Sequence, residues 1–251
     1  PEQHLYVQRE FTNLREKIFY KIRRRKRRTE FVMEQSRVTV KIIHLSKRIR
    51  KRQILDDINI EMHGGRIYGF KGKNGAGKTM LMRAVCGLII PTEGKIYIND
   101  ELLGKDMSFP ESIGVLLENP SFIDGYTGFK NLKLLASIKN RIDDEDIRLT
   151  LEKVGLDPDD KRTFRKYSLG MKQRLGIAAA IMENPDIVIL DEPINALDDS
   201  GAELVRSILW ELRDNGSLIM LACHDTDELR YLSDEIYTLN EGRITEKIVD
   251  A

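Results

Sequence analysis

A glycine-rich stretch in the first half of the chain has the residue types that bind phosphate. It reads Gly72-Lys73-Asn74-Gly75-Ala76-Gly77-Lys78-Thr79, which fits the pattern GxxxxGK[ST] at every fixed position. Glycines let successive backbone N–H groups converge on phosphate oxygens, and the positive end of a following helix attracts the same anion. We expect Lys78 to reach the β- and γ-phosphates and Thr79 to ligate Mg²⁺. The stretch, with Met80 directly after it, therefore predicts a nucleotide-binding loop.

Two adjacent carboxylates follow an apolar run in the second half of the chain. Residues 187–190 are all apolar, as expected for a strand buried on both faces, and Asp191 and Glu192 follow. Ligands of open α/β sheets collect at the carboxyl ends of the strands. We expect Asp191 to face Mg²⁺ and its waters, and Glu192 to reach the water that attacks the γ-phosphate. Together with Lys78, this pair predicts phosphoryl-transfer chemistry.

A histidine stands in a comparable position further along the chain. His224 follows the apolar strand predicted at residues 218–223 and precedes Asp225. A lone histidine is more often structural than catalytic. Its place at the end of a strand that comes after the carboxylate strand nevertheless favours a contact with the γ-phosphate.

Short apolar strands alternate with helical stretches over most of the chain. Strands are predicted at TVKIIHL, ILDDINIEM, RIYGF, KIYIND, SIGVLL, DIVIL and SLIMLAC, and a hairpin at EIYTLNEGRITEKI with its turn at Asn240–Gly242. Helices are predicted from Lys78 to about Gly87, from Ser168, and near Ala202–Leu212, and the pattern is mostly helical from Tyr126 to Tyr167. This alternation indicates a parallel sheet covered on both faces.

Charge is distributed unevenly along the chain. The 41 Lys and Arg nearly balance the 40 Asp and Glu, but residues 1–52 carry a net charge of +12. An apolar stripe at helical spacing (Phe11, Leu14, Ile18, Ile22) precedes six consecutive basic residues at 23–28. Residues 1–36 are therefore predicted to be a basic arm, either native or an added leader. Three interpretations of this arm stay open: it contacts a membrane surface, it contacts nucleic acid (the less favoured partner), or it is a solvated arm without a role.

The cysteines and the lengths of the apolar runs bear on the compartment. Cys86 and Cys223 lie in apolar surroundings without a CxxC partner, which favours buried free thiols in a reducing compartment. No apolar run approaches the ~20 residues that span a bilayer, and no signal-peptide pattern is present. We expect a soluble chain whose role at a membrane would require a partner.

In order along the chain, these motifs resemble those of the ATP-binding cassette ATPases over about residues 37–251. GKNGAGKT resembles the Walker A motif, YSLGMKQR the signature motif, IVILDEP the Walker B motif with its catalytic Glu192, NALD (ending at Asp198) the D-loop, and LACHD the switch-histidine segment. The resemblance implies an α/β P-loop NTPase fold. Its mostly parallel core sheet would be accompanied by an antiparallel β subdomain and by a helical subdomain at about residues 119–167.

The resemblance also implies an activity and partners. Such cassettes bind and hydrolyse MgATP as head-to-tail dimers, in which Ser168 and Gly170 of one subunit would close on the nucleotide held by the other. A separate transmembrane permease would hold the chain in the cytoplasm, on the inner face of the cell membrane. YSLGMKQRLGIA and GVLLENPSF are similar to the drug and antimicrobial-peptide export or self-protection branch of bacterial cassettes.

Three positions depart from the family pattern. The signature carries Tyr167, Leu169 and Met171 at its flanking positions, although the serine and glycine that would contact phosphate are kept. Glu118 occupies the place of the Q-loop glutamine, where a carboxylate is still a competent Mg²⁺ ligand. Ile49 replaces the aromatic residue that usually stacks on adenine, so apolar contact is expected there without stacking.

Two other functions are compatible with parts of the sequence. The basic arm would suit a non-transport cassette ATPase that acts on the ribosome or on nucleic acid. The altered signature and Glu118 would suit a regulatory module that binds ATP without hydrolysing it. Glu192 and His224, both kept, argue against a module that only binds ATP. Non-transport members of the family usually carry two cassettes or a long coiled coil, and this sequence shows neither, which favours an ATPase that powers a transporter.

Overall fold

The computed structural model describes residues 38–249. The predicted basic arm at residues 1–36, and with it the predicted membrane or nucleic-acid contact, lies outside the described residues. The strands of the described part are, in chain order, β1 (Thr39–Ile49), β2 (Arg52–His63), β3 (Arg66–Lys71), β4 (Glu93–Ile98), β5 (Glu101–Leu102), β6 (Ile113–Leu116), β7 (Ile187–Asp191), β8 (Leu218–Ala222), β9 (Glu235–Asn240) and β10 (Arg243–Val249). The α-helices are α1 (Lys78–Val85), α2 (Gly128–Lys139), α3 (Asp144–Lys153), α4 (Leu169–Ile181), α5 (Asp199–Asp214) and α6 (Thr226–Leu232).

A six-stranded sheet in the order β10-β9-β3-β8-β7-β6 forms the centre of the fold. All neighbouring strands are parallel except β10, which pairs antiparallel with β9 across the predicted turn. Every residue of β7 and β8 is buried. Such strands need an uninterrupted apolar run, because helices or a second sheet cover both of their faces.

The alternation along β7 places its residues in two different cores. Ile187 and Ile189 face the core that α1 and the antiparallel strands complete, whereas Val188 and Leu190 face the core that α2–α5 complete. This is the period of two that a strand imposes on its side chains. Burial of each such side chain stabilises the fold by about 1.5–3 kcal/mol. The strand that carries the two carboxylates is thereby fixed from both sides.

A four-stranded antiparallel sheet, in the order β2-β1-β4-β5, packs against one of these cores. Strand β1 is longer than its apolar stretch predicts and continues to Ile49, which pairs directly with Arg52 across a tight turn. The pairing of β1 with β2 contains three register shifts, so the face that each residue presents near this turn does not follow from simple alternation. With the parallel sheet and the helices, this sheet confirms the predicted fold class.

Helices α2 and α3 lie in the segment that connects β6 to α4. Each begins with a side-chain cap: Thr127 accepts a hydrogen bond from the Lys130 N–H, and Asp143 forms a capping box at the start of α3. The Tyr167 hydroxyl accepts a hydrogen bond from the Gly128 N–H at 3.2 Å. The unusual tyrosine of the signature is therefore buried, and it connects the start of α4 with the start of α2.

The two thiols agree with what the sequence predicts. Cys86 and Cys223 are buried and free. Burial disfavours the thiolate, and it raises the pKa of Cys86 to about 12 and that of Cys223 to about 11. Within residues 38–249, none of the helices has the length and apolarity that crossing a bilayer requires.

Candidate functional site

The glycine-rich loop connects the end of β3 to the start of α1. Gly77 is the residue before α1 and has a left-handed conformation, with φ 110°. A Cβ atom there would come within 3.0 Å of a Leu55 side-chain atom and 3.1 Å of the Ile54 carbonyl oxygen. Gly75 is also left-handed (φ 81°), but an added Cβ would meet no atom within 4 Å. The glycines thus permit both the sharp turn and the close approach of β2.

Lys78, the first residue of α1, is buried under this loop. Its Nζ atom donates a 2.6 Å hydrogen bond to the Gly72 carbonyl oxygen. A buried ammonium requires compensation by polar partners, and an anion in the loop would supply it more strongly than a carbonyl does. The position agrees with the phosphate-binding role that the sequence predicts for Lys78.

Thr79 and Asp191 meet at the carboxyl end of β7. The Thr79 hydroxyl donates a 2.6 Å hydrogen bond to Asp191 Oδ2, although 112 residues separate the two in sequence. A hydroxyl and a carboxylate side by side are oxygen ligands suited to Mg²⁺. Substrate phosphates and water usually complete the coordination shell of this ion. Within residues 38–249, this site included, no group of three or more His, Cys, Asp or Glu side chains is placed to hold a metal ion.

Glu192 has a strained backbone and a partly satisfied carboxylate. Its φ of 53° is left-handed, which costs about 1–2 kcal/mol for a residue with a Cβ atom. Oε2 accepts hydrogen bonds from Asn195 Nδ2 at 2.8 Å and from the His224 N–H at 3.3 Å. Oε1 is buried and accepts no hydrogen bond from the described residues. His224 Nε2 lies 3.0 Å from it, in an orientation that is not that of a hydrogen bond.

The main chain of Glu192 is held from two sides. Its N–H donates to the Ala222 carbonyl oxygen at 2.9 Å, which ties it to the end of β8. Gln173 Nε2 donates to the carbonyl oxygens of Glu192 and Pro193 at 3.2 and 3.0 Å. The sequence analysis did not identify Gln173. A signal was present, because a polar residue at a buried position of a helix needs partners of its own.

One cavity of about 350 Å³ collects these groups. Its lining consists of Arg52, Ile54, Lys73, Asn74, Gly75, Ala76, Gly77, Lys78, Thr79, Met80, Asp191, Glu192 and His224. The structure therefore brings together the predicted loop, the two predicted carboxylates and the predicted histidine. Gly72 adjoins the cavity through its hydrogen bond with Lys78.

Ile49 is not among the lining residues, and its expected contact with the base stays a prediction. It ends β1 and is 45% exposed. Arg52 and Ile54, which the sequence analysis missed, line the cavity instead. The physical reason is the hairpin: the turn ends at Arg52, so β2 rather than β1 extends along the loop. No local signal in the sequence gives this register.

Glu118 is also outside the cavity lining, and its expected contact with Mg²⁺ stays a prediction. It follows β6 with a left-handed φ of 60°, and 63% of its side chain is exposed. Oε1 accepts a 2.6 Å hydrogen bond from Arg83 Nη2, in the last turn of α1. The carboxylate is thus paired with an arginine rather than placed beside Thr79 and Asp191.

The signature and D-loop residues lie at helix starts away from this cavity. Ser168 is the N-cap of α4 and accepts a hydrogen bond from the Met171 N–H at 3.2 Å. Gly170 stands next to the D-loop, where a Cβ atom would come within 3.1 Å of the Ala196 carbonyl oxygen. Asp198 caps α5; the hydrogen bond from the Gly201 N–H is the main cause that lowers the pKa of its carboxyl, and Ser200 adds to it.

Comparison with known proteins places these features in a family. The sequence profile described as ABC transporter matches residues 55–195. The uncharacterized ABC transporter ATP-binding protein YybJ of Bacillus subtilis (strain 168) is 44% identical over 212 residues, which cover 84% of this chain and 97% of that protein. The bacitracin transport ATP-binding protein BcrA of Enterococcus faecalis is 37% identical over 207 residues, covering 82% and 67%. The lantibiotic transport ATP-binding protein SrtF of Streptococcus pyogenes is 36% identical over 207 residues, covering 82% and 88%.

Solved structures agree on the fold. An ATP-binding subunit of an ABC transporter superposes with a TM-score of 0.77 at 25% identity, covering 84% of this chain and 89% of that one. A dimeric, post-hydrolysis ATP-binding cassette bound to ADP and Pi also gives a TM-score of 0.77, at 22% identity, covering 84% and 99%. At that identity the second likeness concerns the fold alone.

Proposed function

The chain belongs to the ATP-binding cassette transporter family, and we propose that it hydrolyses MgATP to power a separate membrane permease that exports peptides, drugs or similar amphiphiles. The observation that carries the ATPase proposal is the assembly of Lys78, Thr79, Asp191 and Glu192 around one cavity. A binding module would need only the loop and its lysine. The carboxylates of Asp191 and Glu192, which line the same cavity, are suited to hydrolysis.

The chain's residues divide the chemistry among themselves. The loop N–H groups and Lys78 would hold the β- and γ-phosphates and neutralise part of their charge. Thr79 and Asp191 would hold Mg²⁺, which, when bound, neutralises charge that develops on the transferred phosphoryl group. These residues supply positioning and electrostatic stabilisation, which make up most of the catalysis of phosphoryl transfer.

Glu192 is proposed as the group that orients the attacking water. Asn195 and the His224 main chain fix one carboxylate oxygen, while Oε1 is buried and without a hydrogen bond from the described residues. A buried carboxylate oxygen that lacks a donor is a strong acceptor for water. His224, 3.0 Å from the same oxygen, would contact the γ-phosphate on the other side of that water.

The relatives and the remaining motifs support the wider proposal. BcrA is a bacitracin transport protein and SrtF a lantibiotic transport protein, so the exported class proposed here is an amphiphilic peptide or drug. We place Ser168 and Gly170 against the nucleotide of a second cassette, in a head-to-tail dimer. The helical segment at about residues 119–167 is proposed to face the permease, which would hold the chain at the inner face of the cell membrane.

Steady-state ATP hydrolysis by the purified chain, with and without Mg²⁺, tests the ATPase. Glu192→Gln keeps the size of the side chain but removes the carboxylate, so we expect turnover to fall about 100-fold or more while ATP binding is retained. Glu152→Gln, on the exposed side of α3, is the matched control and should behave as the wild type. Ordinary turnover by Glu192→Gln would exclude the proposed role of Glu192.

A second measurement separates binding from hydrolysis. Lys78→Ala removes the buried ammonium, and we expect ATP affinity to fall about tenfold to a hundredfold, as for loss of a charge-assisted hydrogen bond. Lys105→Ala, in the exposed turn after β5, is the control. Calorimetry that gave equal affinities for Lys78→Ala and the wild type would contradict the site.

A further inference from the structure

The Oε2 atom of Glu192 is held by donors from two different loops. Asn195 Nδ2, at 2.8 Å, belongs to the loop between β7 and α5, and the His224 N–H, at 3.3 Å, belongs to the loop between β8 and α6. These loops end at Asp198 and Asp225, the N-caps of α5 and α6. The spacing of the two donors therefore depends on how α5 and α6 are held against each other.

An arginine of α5 connects the two helices. Arg206 donates to both carboxylate oxygens of Glu228 on α6, from Nε to Oε1 at 2.8 Å and from Nη2 to Oε2 at 2.6 Å. Such a bidentate pair fixes orientation as well as distance. Only 24% of the arginine side chain and 11% of the glutamate side chain are exposed, so solvent screens this pair less than a surface pair. Nη1 of the same guanidinium donates to Glu203 within α5 at 3.0 Å.

Two aromatic side chains complete this contact between the helices. The guanidinium carbon of Arg206 lies 5.7 Å from the centroid of the Tyr231 ring on α6. The same ring packs edge-to-face against Trp210 of α5, with the ring centroids 5.3 Å apart. Trp210 is the single tryptophan of the chain, so its fluorescence reports on the packing of α5 against α6.

Helix α6 needs such a contact because it is short. It has seven residues and begins two residues after His224, and helices of fewer than about 12 residues are marginal in isolation. Glu228 lies in the first turn of α6, so its pair with Arg206 holds the end of the helix that is next to His224. A shift of this end would move the His224 N–H away from Glu192 Oε2.

We propose that Arg206 is a positioning residue for ATP hydrolysis, which fixes α5 against α6 and thereby sets the distance between the two donors that hold Glu192. The proposal rests on the role given above to Glu192, since Arg206 does not line the cavity itself. Arg206 acts through the orientation of one carboxylate. ATP binding, which uses the phosphate loop, is therefore independent of it.

Steady-state kinetics of Arg206→Met tests the proposal. A displacement of about 1 Å in a catalytic group can lower a rate by up to about 100-fold, and we expect kcat to fall about tenfold while KM for ATP stays within about twofold. The Trp210 emission should shift to the red as α6 loosens. Arg213→Met removes another arginine of α5, 30% exposed and paired with Asp214, and this matched control should keep the wild-type kcat.

A double variant separates positioning from a general loss of stability. In the Glu192→Gln background, Arg206→Met should cause no further loss of the residual turnover, because no carboxylate is left to position. Arg206→Lys can still pair with Glu228 and should recover part of the lost kcat. Circular-dichroism melts verify folding, and Glu228→Gln, which keeps the shape of its side chain, carries the same test should Arg206→Met not fold.

Two results would overturn the inference. The first is an unchanged kcat in a folded Arg206→Met protein. The second is an equal further loss in the Glu192→Gln background, because Arg206 would then act on something other than Glu192. Failure of the function proposed above has a different signature: Glu192→Gln alone would turn over ATP as the wild type does, and this inference would fall with it.

Discussion

Arg83 donates a 2.6 Å hydrogen bond to Glu118, and this ion pair connects the last turn of α1 with the segment that follows β6. The two residues of this pair belong to different parts of the molecule. Helix α1 begins at the phosphate loop, whereas the segment after Glu118 leads into α2 and α3. The pair therefore bridges the two regions at a point where a glutamine could form no ion pair.

Removal of this pair should change the dependence on Mg²⁺. Arg83→Ala frees the Glu118 carboxylate to turn towards Thr79 and Asp191, and an exposed ion pair is worth about 0–1 kcal/mol. We expect the Mg²⁺ concentration for half-maximal ATPase activity to fall by up to about fivefold. The double variant Arg83→Ala/Glu118→Gln should return towards the wild type. An unchanged Mg²⁺ curve in Arg83→Ala would show that Glu118 does not reach the metal.

The contact between Thr79 and Asp191 predicts where Mg²⁺ acts. Thr79→Val keeps the shape of the side chain but removes the hydroxyl that lies 2.6 Å from Asp191 Oδ2. We expect ATP affinity without Mg²⁺ to change little, and the additional affinity that Mg²⁺ provides to be lost. Thr245→Val, on the edge strand β10, is the control. If Mg²⁺ still strengthened ATP binding to Thr79→Val as in the wild type, the metal site would lie elsewhere.

Gln173 should affect turnover more than binding. Gln173→Leu removes two donors and leaves the carbonyl oxygens of Glu192 and Pro193 without them, at a cost of about 1–3 kcal/mol in folding stability. Because the loop that carries Glu192 loses its support, we expect kcat to fall while KM for ATP stays the same. Thermal melts and steady-state kinetics measure the two effects. A lower stability with unchanged kcat would mean that Gln173 is only structural.

The buried thiols predict the behaviour of the protein at high pH. The pKa values of Cys86 and Cys223 rise to about 12 and about 11 on folding, from an ordinary value near 9. Their contribution to stability is complete below pH 9, where both states hold the proton, and it is lost as the pH rises towards 11–12. At pH 8, iodoacetamide should modify neither thiol in the native protein and both in urea, as mass spectrometry would reveal. Rapid native modification at pH 8 would contradict their burial.

The motifs of the site were predictable because each is local and because parallel strands bring their carboxyl ends to one edge. Gly72–Thr79, Asp191 and Glu192 needed only this rule to be placed together. The hairpin turn at Asn240–Gly242 was predictable for the same local reason, and the structure confirms it.

Residues whose position depends on long-range packing or on register were not predictable. Arg52 reaches the cavity through the register of a hairpin that contains bulges, and Gln173 acts through contacts about twenty residues away. Helix α6 was missed because seven residues carry too little periodicity, although Asp225 caps its start. The ion pair of Glu118 with Arg83, which lies 35 residues earlier, was likewise not predictable from the motif that contains Glu118.

In the proposed head-to-tail dimer, helix α4 would carry one polar side chain for each of two nucleotides. Ser168, at its N-cap, is proposed to contact the nucleotide of the second cassette. Gln173 supports Glu192 of the same chain through a hydrogen bond to its carbonyl oxygen. Five helical residues, about 7.5 Å, separate them. A displacement of the serine when the second nucleotide arrives would move Gln173 with it, since both belong to one short helix. Hydrolysis in each half of a dimer would then be timed by the occupancy of the other half, with no relay of intermediate side chains.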